Sequence, residues 1–218
     1  MRIPLLTVAA TMLFTAAASA QPRTPAPPSA GGEETGYVEG VAQSSFGHVT
    51  SQSYGIEAGY VIGPQAEVLL ELGRVSDAST QAIQDSADTI AGSLAATGVS
   101  VTVREPVSFL AVGGKYVVAT HGAFHPYVLA GVGVARVKHD VVFRVAGADV
   151  TSNIGQFGVA LGGDLSGTET KFAIVAGAGG MIPIGRRFLL DLQFRVNRVM
   201  SDPAISFARA GIGFGIRF

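Results

Sequence analysis

The last twelve residues, Phe207–Phe218, read FARAGIGFGIRF and carry the clearest strand pattern of the chain. Every second residue counted back from Phe218 is apolar, whereas the residues between them are glycine or arginine, apart from Phe207. A period of two places these two sets on opposite faces of a β-strand. The pattern is typical of a strand in a membrane-spanning β-barrel, with its apolar face toward lipid and its polar face toward the interior. An edge strand of a soluble domain is the alternative.

The composition favours the membrane alternative. The chain has 218 residues, a formal net charge of −1, 14% charged residues and a mean hydropathy of +0.40. Beyond residue 20, however, no apolar run approaches the ~20 residues that a membrane helix needs. High hydropathy spread over short alternating segments agrees with a membrane barrel. The near-neutral charge gives no indication of nucleic-acid binding.

The N-terminal region predicts export. Residues 1–20 are interpreted as a signal peptide, since Arg2 precedes an apolar core and Ala18-Ser19-Ala20 has the small side chains of a cleavage site. An uncleaved membrane anchor is the alternative. Residues 21–35 contain four prolines and are predicted to be a periplasmic linker. The barrel domain is then expected to span residues 36–218.

Eight alternating segments follow the linker. They are predicted as strands over residues 37–46, 53–62, 65–75, 107–119, 126–139, 171–182, 187–197 and 207–218. The connections alternate between tight turns and longer loops, as outer-membrane barrels do with short periplasmic turns and long extracellular loops. The sequence therefore predicts an all-β fold, an eight-stranded antiparallel up-and-down transmembrane β-barrel, with both termini in the periplasm.

The two longest loops, 76–104 and 140–170, carry weaker signals. Ile83, Ile90 and Leu94 fall near one helical face, which predicts a short helix within 76–104. Within 140–170, residues 141–145 and 157–161 are open to interpretation as strand extensions. The faces of the strand over 126–139 stay unassigned, because glycine and alanine occupy one set of alternating positions.

Several stretches carry a family resemblance. Pro126–Val134 reads PYVLAGVGV, and Arg187–Arg195 reads RFLLDLQFR. In Phe172–Gly180, glycine and alanine alternate along the stretch, and the chain ends in Phe218. With these stretches, residues 36–218 resemble the small outer-membrane β-barrel domains of the OmpA, OmpX and opacity-protein type. The absence of tryptophan departs from that family's aromatic girdles.

The resemblance implies a location and partners rather than an activity. It implies the bacterial outer membrane, reached across the inner membrane after signal-peptide cleavage, with the surrounding lipid as a partner. The last strand resembles the C-terminal signal read by the outer-membrane assembly machinery. The residues that carry this assembly signal are Ile212, Phe214, Ile216 and Phe218.

The polar strand faces predict a charged interior. They place inside the barrel five acids and four bases: Glu39, Glu57, Glu67, Glu71, Asp191, Lys115, Arg195, Arg209 and Arg217. The interior of an eight-stranded barrel is just wide enough for side chains to fill. Because an unpaired buried charge is costly, these groups are expected to pair into a plug without a continuous water channel. A narrow ion pore lined by the same charges is the alternative.

The residues do not assemble a recognisable catalytic site. His121 and His125 have a possible metal spacing, but they flank a predicted tight turn without a nearby carboxylate. His139-Asp140 lies at the extracellular end of its strand, where lipid-A-modifying barrel enzymes hold catalytic groups, yet no compact set of histidine, serine and acid accompanies it. The chain is predicted to have no catalytic residues, no cofactor and no metal, and not to be an enzyme.

The function predicted from the sequence is that of an outer-membrane barrel with a structural or surface-interaction role. Loops 76–104 and 140–170 are the segments expected to contact any extracellular ligand, since loops on a rigid scaffold carry binding specificity. A small passive channel is the first alternative, and a lipid-modifying envelope enzyme is the second.

Overall fold

The computed structural model describes residues 35–94, 97–159, 162 and 165–218. The predicted signal peptide and the predicted linker, apart from Thr35, lie outside the described residues. Within the described part, no helix is both long enough and apolar enough to cross a membrane.

Ten strands and two helices make up the described chain. They are β1 Gly36–Phe46, β2 Thr50–Gly63, β3 Ala66–Val75, α1 Gln81–Ser93, β4 Val99–Arg104, β5 Val107–Val117, β6 His125–Val145, β7 Ala148–Asp149, a 3₁₀ helix Thr151–Phe157, β8 Ser166–Ile184, β9 Phe188–Val199 and β10 Ile205–Arg217. Eight of the strands form an antiparallel ring in the order β1-β2-β3-β5-β6-β8-β9-β10, and β10 pairs with β1 to close it. The predicted all-β fold with a ring of eight strands is confirmed.

The seam between β1 and β10 extends to the last residue of the chain. The Phe218 N–H donates to the Gly36 carbonyl at 3.0 Å, and the Phe218 carbonyl accepts from the Thr35 N–H at 2.7 Å. The ring therefore closes with main-chain hydrogen bonds up to its end. Because the ring is closed, neither β1 nor β10 presents an unpaired sheet edge.

The connections divide the barrel into two ends. At the turn end lie the short segments 64–65, 118–124 and 185–187, whereas the described residues of 47–49, 76–98, 146–165 and 200–204 lie at the loop end. Between the ends, apolar side chains point outward and are exposed. We call this set the apolar belt; it runs from Phe46, Tyr54, Leu72, Leu110, Val134, Phe172 and Val196 at the loop end to Ile62, Tyr116, Val128, Phe188 and Phe218 at the turn end.

The structure shows which side chains of β6 face inward and which face outward. Tyr127, Leu129 and Val137 are buried inside the barrel, whereas Val128 and Val134 belong to the apolar belt. The inner face of β6 is therefore apolar and aromatic. This is why the alternation of polar and apolar residues that identifies the other strands is weak here.

Three glycines lie directly opposite inward-facing aromatic rings on a neighbouring strand. The pairs are Gly59 with Tyr37, Gly73 with Phe109, and Gly179 with Tyr127. A Cβ on Gly59 would lie 2.0 Å from the Tyr37 ring, so the ring occupies the space a side chain would take. The barrel interior thus accommodates large rings because the opposing strand has no side chain at that point.

The two long loops are more ordered than the sequence predicts. Helix α1 confirms the helix expected within 76–104, but β4, in the same segment, was predicted as loop, and that prediction is wrong. Strand β6 runs to Val145, which confirms the extension considered for 141–145, and β8 begins at Ser166. The strand extension considered for 157–161 is wrong over 157–159, since Phe157 ends the 3₁₀ helix and the next two residues belong to no strand; residues 160 and 161 lie outside the described residues.

These segments enclose a small hydrophobic core above the apolar belt, which we call the cap. Its buried side chains are Ile83, Ala87, Leu94, Val103, Val141, Phe143, Ile154 and Leu165. Burial of this apolar surface stabilises β4 and the end of β6 away from the barrel wall. Residues 99–104 read VSVTVR, so their alternation of valines with polar side chains and their packing in the cap both favour a strand.

Candidate functional site

Five charged side chains from five strands meet in the middle of the barrel interior, and we call them the central cluster. They are Glu57 of β2, Glu71 of β3, Lys115 of β5, Arg195 of β9 and Arg209 of β10. None is more than 2% exposed. Such complete burial of charge requires that each group be paired.

The central cluster is joined by ion pairs. Lys115 Nζ lies 2.9 Å from Glu57 Oε1, and Arg209 Nη1 lies 2.8 Å from Glu71 Oε1. Arg195 bridges the two acids: its guanidinium pairs with Glu57 and lies 3.1 Å from Glu71 Oε2. Each acid is therefore shared between two bases.

The strand register explains why the acids need bases from elsewhere in the barrel. Glu39, Glu57 and Glu71 are direct neighbours across β1, β2 and β3, while Arg195 and Arg209 are direct neighbours across β9 and β10. Like charges placed opposite each other on adjacent strands repel. The acidic row and the basic pair point into the interior from different walls, so each relieves the repulsion within the other.

Neutral side chains add further hydrogen bonds to the central cluster. Arg209 donates to Gln43 Oε1 and to Asn197 Oδ1, both at 3.1 Å, and its guanidinium lies over the Phe109 ring. Lys115 Nζ lies 4.5 Å from the centre of the Tyr37 ring and 4.3 Å from that of Tyr127. The two tyrosines therefore supply cation–π contacts as well as hydroxyl donors.

The remaining predicted interior residues lie around the central cluster or away from it. Asp191 accepts hydrogen bonds from Tyr127 and Gln193, both at 2.8 Å, with Lys115 Nζ 3.9 Å away. Glu39 is buried and accepts from Gln193. Glu67 lies opposite Lys115 in the register but forms no ion pair within the described residues.

Arg217 is the outlying member of the predicted set. It lies at the turn end, where its guanidinium donates to the Gly185 carbonyl at 3.1 Å. The structure thus places this arginine at the barrel mouth, on the wall of a cavity, rather than among the central charges.

Tyr37 and Tyr127 are among the interior participants that the sequence did not predict. Tyr37 donates to Glu57 at 2.5 Å, and Tyr127 donates to Asp191. The available signal was a glycine opposite each ring, but it becomes visible only when the strand register is known.

Within the described chain, one group of carboxylates is compact enough to consider as a cation site. Oxygens of Glu39, Glu57 and Asp191 lie within 4.8 Å of one another. Lys115 and Gln193 already donate to these oxygens. Lys115 thus places one positive charge beside these oxygens, and Gln193 is a neutral donor.

Each barrel mouth holds a cavity. The turn-end cavity has a volume of about 180 Å³ and is lined by Tyr37, Glu67 and Arg217 among others. The loop-end cavity has a volume of about 230 Å³, and Glu105, His139 and Glu169 are on its wall. The central cluster lies between the two cavities along the barrel.

The loop-end cavity pairs His139 with an acid that the sequence did not suggest. His139 Nδ1 lies 2.8 Å from Glu105 Oε1 and its Nε2 lies 3.8 Å from Glu169, whereas Asp140 pairs with Lys138 at 3.5 Å. Burial raises the pKa of the Glu105 carboxyl, although the Thr80 N–H and His139 oppose this shift. Ser201 also lines this cavity, with its hydroxyl donating to the Pro203 carbonyl at 2.8 Å.

His121 and His125, the two histidines with a possible metal spacing, lie at the turn end. His121 is exposed in the segment before β6, and His125 begins β6 with its Nε2 3.1 Å from the Gly122 carbonyl oxygen. Neither belongs to the carboxylate group described above.

Comparisons with known proteins agree with the architecture. A family model described as outer membrane protein beta-barrel domain matches residues 6–218. Neisserial surface protein A is 13% identical with a TM-score of 0.52, covering 84% of this chain and 96% of its own. The N-terminal β-barrel domain of Pseudomonas aeruginosa OprF is 16% identical with a TM-score of 0.50, covering 85% of this chain and 100% of its own.

A third solved structure is more distant. The attachment invasion locus protein Ail of Yersinia pestis is 10% identical with a TM-score of 0.47, covering 85% of this chain and 97% of its own. No curated protein matches the chain significantly. At these identities Neisserial surface protein A and the OprF domain establish a shared fold only.

Proposed function

Because the chain belongs to the outer-membrane β-barrel domain family, we propose that it is a structural, surface-interacting barrel whose interior is closed to ions. The loop end then faces the cell exterior and the turn end faces the periplasm, as loop lengths are distributed in this class.

The central cluster is the observation that carries the proposal of a closed interior. An ion path through the barrel would have to separate Arg195 from Glu57 and Glu71, or Lys115 from Glu57. Breaking one buried pair costs about 3–5 kcal/mol, because it leaves an uncompensated charge. The two mouth cavities then remain separate vestibules.

The cap supports a surface-interaction role. Its buried core fixes α1 and the ends of β4 and β6 above the apolar belt, so the described residues of 76–104 and 140–170 present a shaped surface. A preorganised surface loses less conformational entropy when it binds a partner. We therefore assign to these two segments the contacts with any extracellular ligand.

Two further partners follow from the outer surface. The apolar belt is solvated by outer-membrane lipid. The alternating set Ile212, Phe214, Ile216 and Phe218, each more than half exposed, is the face that we assign to recognition by the assembly machinery.

Planar-bilayer recording of the purified mature chain tests the closed interior. We expect no steady, discrete conductance at a protein density at which a folded barrel is demonstrated by heat-modifiable migration on a gel. The variant R195A/R209A, which removes two of the three bases of the central cluster, should conduct in its folded fraction. Discrete channels in the wild-type protein would instead establish a passive channel.

A lipid-modifying enzyme is the second candidate, favoured by the Glu105–His139 pair with Ser201 on the same cavity wall. His139 Nε2, the nitrogen that would activate a serine, is next to Glu169 instead. We therefore expect no product when the protein is incubated with lipid A or phospholipid and the mixture is analysed by mass spectrometry. A product lost in H139N would support the enzyme.

A further inference from the structure

A cationic groove lies on the outer surface of the barrel, immediately above the apolar belt. Its volume is about 220 Å³, and it is lined by Arg74, Pro106, Ser108, Arg136, Lys138 and Thr168. None of these six residues is acidic. The groove is separate from the interior, since Arg74, Ser108 and Arg136 occupy exposed, outward positions of β3, β5 and β6.

The groove arises where the outer wall of the barrel is interrupted. The ladder between β4 and β6 ends at Arg104, and the ladder between β5 and β6 begins at Val107. Pro106 lies in this gap and has no N–H, although its carbonyl still accepts from the Lys138 N–H at 3.1 Å. Small side chains at 106 and 108 form the floor of the groove.

Two arginines flank that floor in register. Arg74 is paired directly with Ser108, and Ser108 is paired directly with Arg136. Adjacent strands are about 4.8 Å apart, so the two arginines start about 10 Å from each other. Long guanidinium side chains at that spacing can both contact one tetrahedral anion placed above Ser108.

The electrostatics of the groove differ from those of the interior. In the described part of the chain, Arg74 and Arg136 form no ion pair and no side-chain hydrogen bond, whereas all three bases of the central cluster are paired. Lys138 pairs with Asp140 at 3.5 Å, but this pair is exposed and therefore weak. The groove thus concentrates positive charge that the protein does not neutralise.

The height of the groove points to a lipid. Leu72, Leu110 and Val134 of the apolar belt lie two residues below Arg74, Ser108 and Arg136 on the same strands and face outward. Acyl chains covering these side chains end at the level of the groove, where lipid headgroups begin. A free anion would gain only polar contacts in the groove, whereas a lipid also gains apolar contacts with the belt.

We propose that Arg74, Ser108 and Arg136, assisted by Lys138, bind the phosphate of an anionic, phosphorylated lipid of the outer leaflet. The two guanidinium groups donate paired hydrogen bonds to phosphate oxygens, an arrangement that a planar arginine fork suits better than a lysine. The Ser108 hydroxyl is positioned to donate a further hydrogen bond. The acyl chains lie against the belt below.

Native mass spectrometry of the detergent-solubilised mature chain tests this site, with diphosphorylated lipid A as the probe and dephosphorylated lipid A as its matched counterpart. We expect R74Q/R136Q to weaken binding of the phosphorylated lipid on the order of tenfold or more, because charge-assisted hydrogen bonds are lost. The control is R198Q: Arg198 is exposed and two residues above Val196, but it lies outside the groove. R198Q should bind as the wild type does.

Two further arms distinguish the outcomes. R74K/R136K, which retains charge but not the forked geometry, should bind better than R74Q/R136Q, and all variants should keep the heat-modifiable gel shift of a folded barrel. Equal binding by R74Q/R136Q and wild type, equal loss in R198Q, or equal binding of dephosphorylated lipid A would overturn the proposal. Displacement of lipid A by an equal concentration of inorganic phosphate would identify a free-anion site and overturn it as well.

Discussion

Arg195 and Glu71 belong to strands on opposite sides of the barrel, yet their side chains meet in its interior with Nη1 3.1 Å from Oε2. In the ring of eight strands, β9 and β3 are four strands apart in either direction. No main-chain hydrogen bond joins these two strands. The ion pair is therefore a direct tie across the barrel, and it constrains the cross-section more than a contact between neighbouring strands does.

Replacing Arg195 should weaken the whole barrel. R195M retains much of the side-chain volume but leaves Glu57 and Glu71 with one base each, so we expect a loss of about 3 kcal/mol in the free energy of unfolding. Urea unfolding in micelles, followed by the gel mobility of the folded form, measures this loss. R198M, on the same strand but exposed, should change stability by less than about 0.5 kcal/mol. Equal urea midpoints for R195M and wild type would contradict a stabilising ion pair across the barrel.

The glycines opposite aromatic rings give a second prediction. G59A would place a Cβ 2.0 Å from the Tyr37 ring and displace the hydroxyl that donates to Glu57. We expect a destabilisation of about 1–3 kcal/mol, typical of overpacking. G40A is the control, because a Cβ there meets nothing within 4 Å. Thermal unfolding of both variants measures the difference, and a G59A variant as stable as G40A would show that the ring moves freely.

The face pattern of most strands could be read from the sequence because lipid and the interior impose opposite demands. In β9 the outward Phe194 and the inward Arg195 differ so strongly that the period of two is evident. In β6 the contrast fails, since Gly131 and Gly133 alternate with valines and the inner face carries Tyr127 rather than charges. Local alternation is informative only where the two environments select different residue types.

Partners across the barrel could not be read in the same way. Arg195 and Glu71 are 124 residues apart, and their contact depends on strand register and tilt rather than on any local pattern. His139 illustrates the same limit, because its neighbour Asp140 faces outward while Glu105, 34 residues earlier, supplies the contacting carboxylate. In both cases a closed ring brings together side chains whose sequence neighbours point elsewhere.

The Glu105 carboxyl should make the cap sensitive to pH. Burial raises its pKa in the folded state, whereas in the unfolded chain it titrates at about 4.3. Between these two values the unfolded state has released the proton and the folded state retains it. Rising pH therefore removes stability across this window and has no effect through Glu105 below it.

Hydrogen exchange of the α1 amides, compared across that pH range after correction for intrinsic rates, measures the effect. E105Q should lose the Glu105 part of the pH dependence while its side-chain oxygen still accepts from the Thr80 N–H. D85N removes an exposed carboxylate of the same helix and should retain the wild-type slope. An equal pH dependence of α1 hydrogen exchange in E105Q and wild type would exclude Glu105 as the titrating group. The neighbouring titratable groups are His139, Asp77 and Glu169.

The side chain of Phe218 should affect assembly in cells more than the stability of the folded barrel. Deleting Phe218 would also remove its main-chain hydrogen bonds to Thr35 and Gly36, so F218A is the sharper variant because it retains them. The Phe218 side chain is 60% exposed, and its loss should change the unfolding midpoint of the purified, refolded barrel little. In cells, we expect a several-fold lower outer-membrane level, because we propose that this side chain is part of the face recognised by the assembly machinery. F172A, which shortens a similarly exposed ring at the other edge of the apolar belt, should reach normal levels. If F218A accumulates in the outer membrane as F172A does, the terminal ring has no special role in assembly.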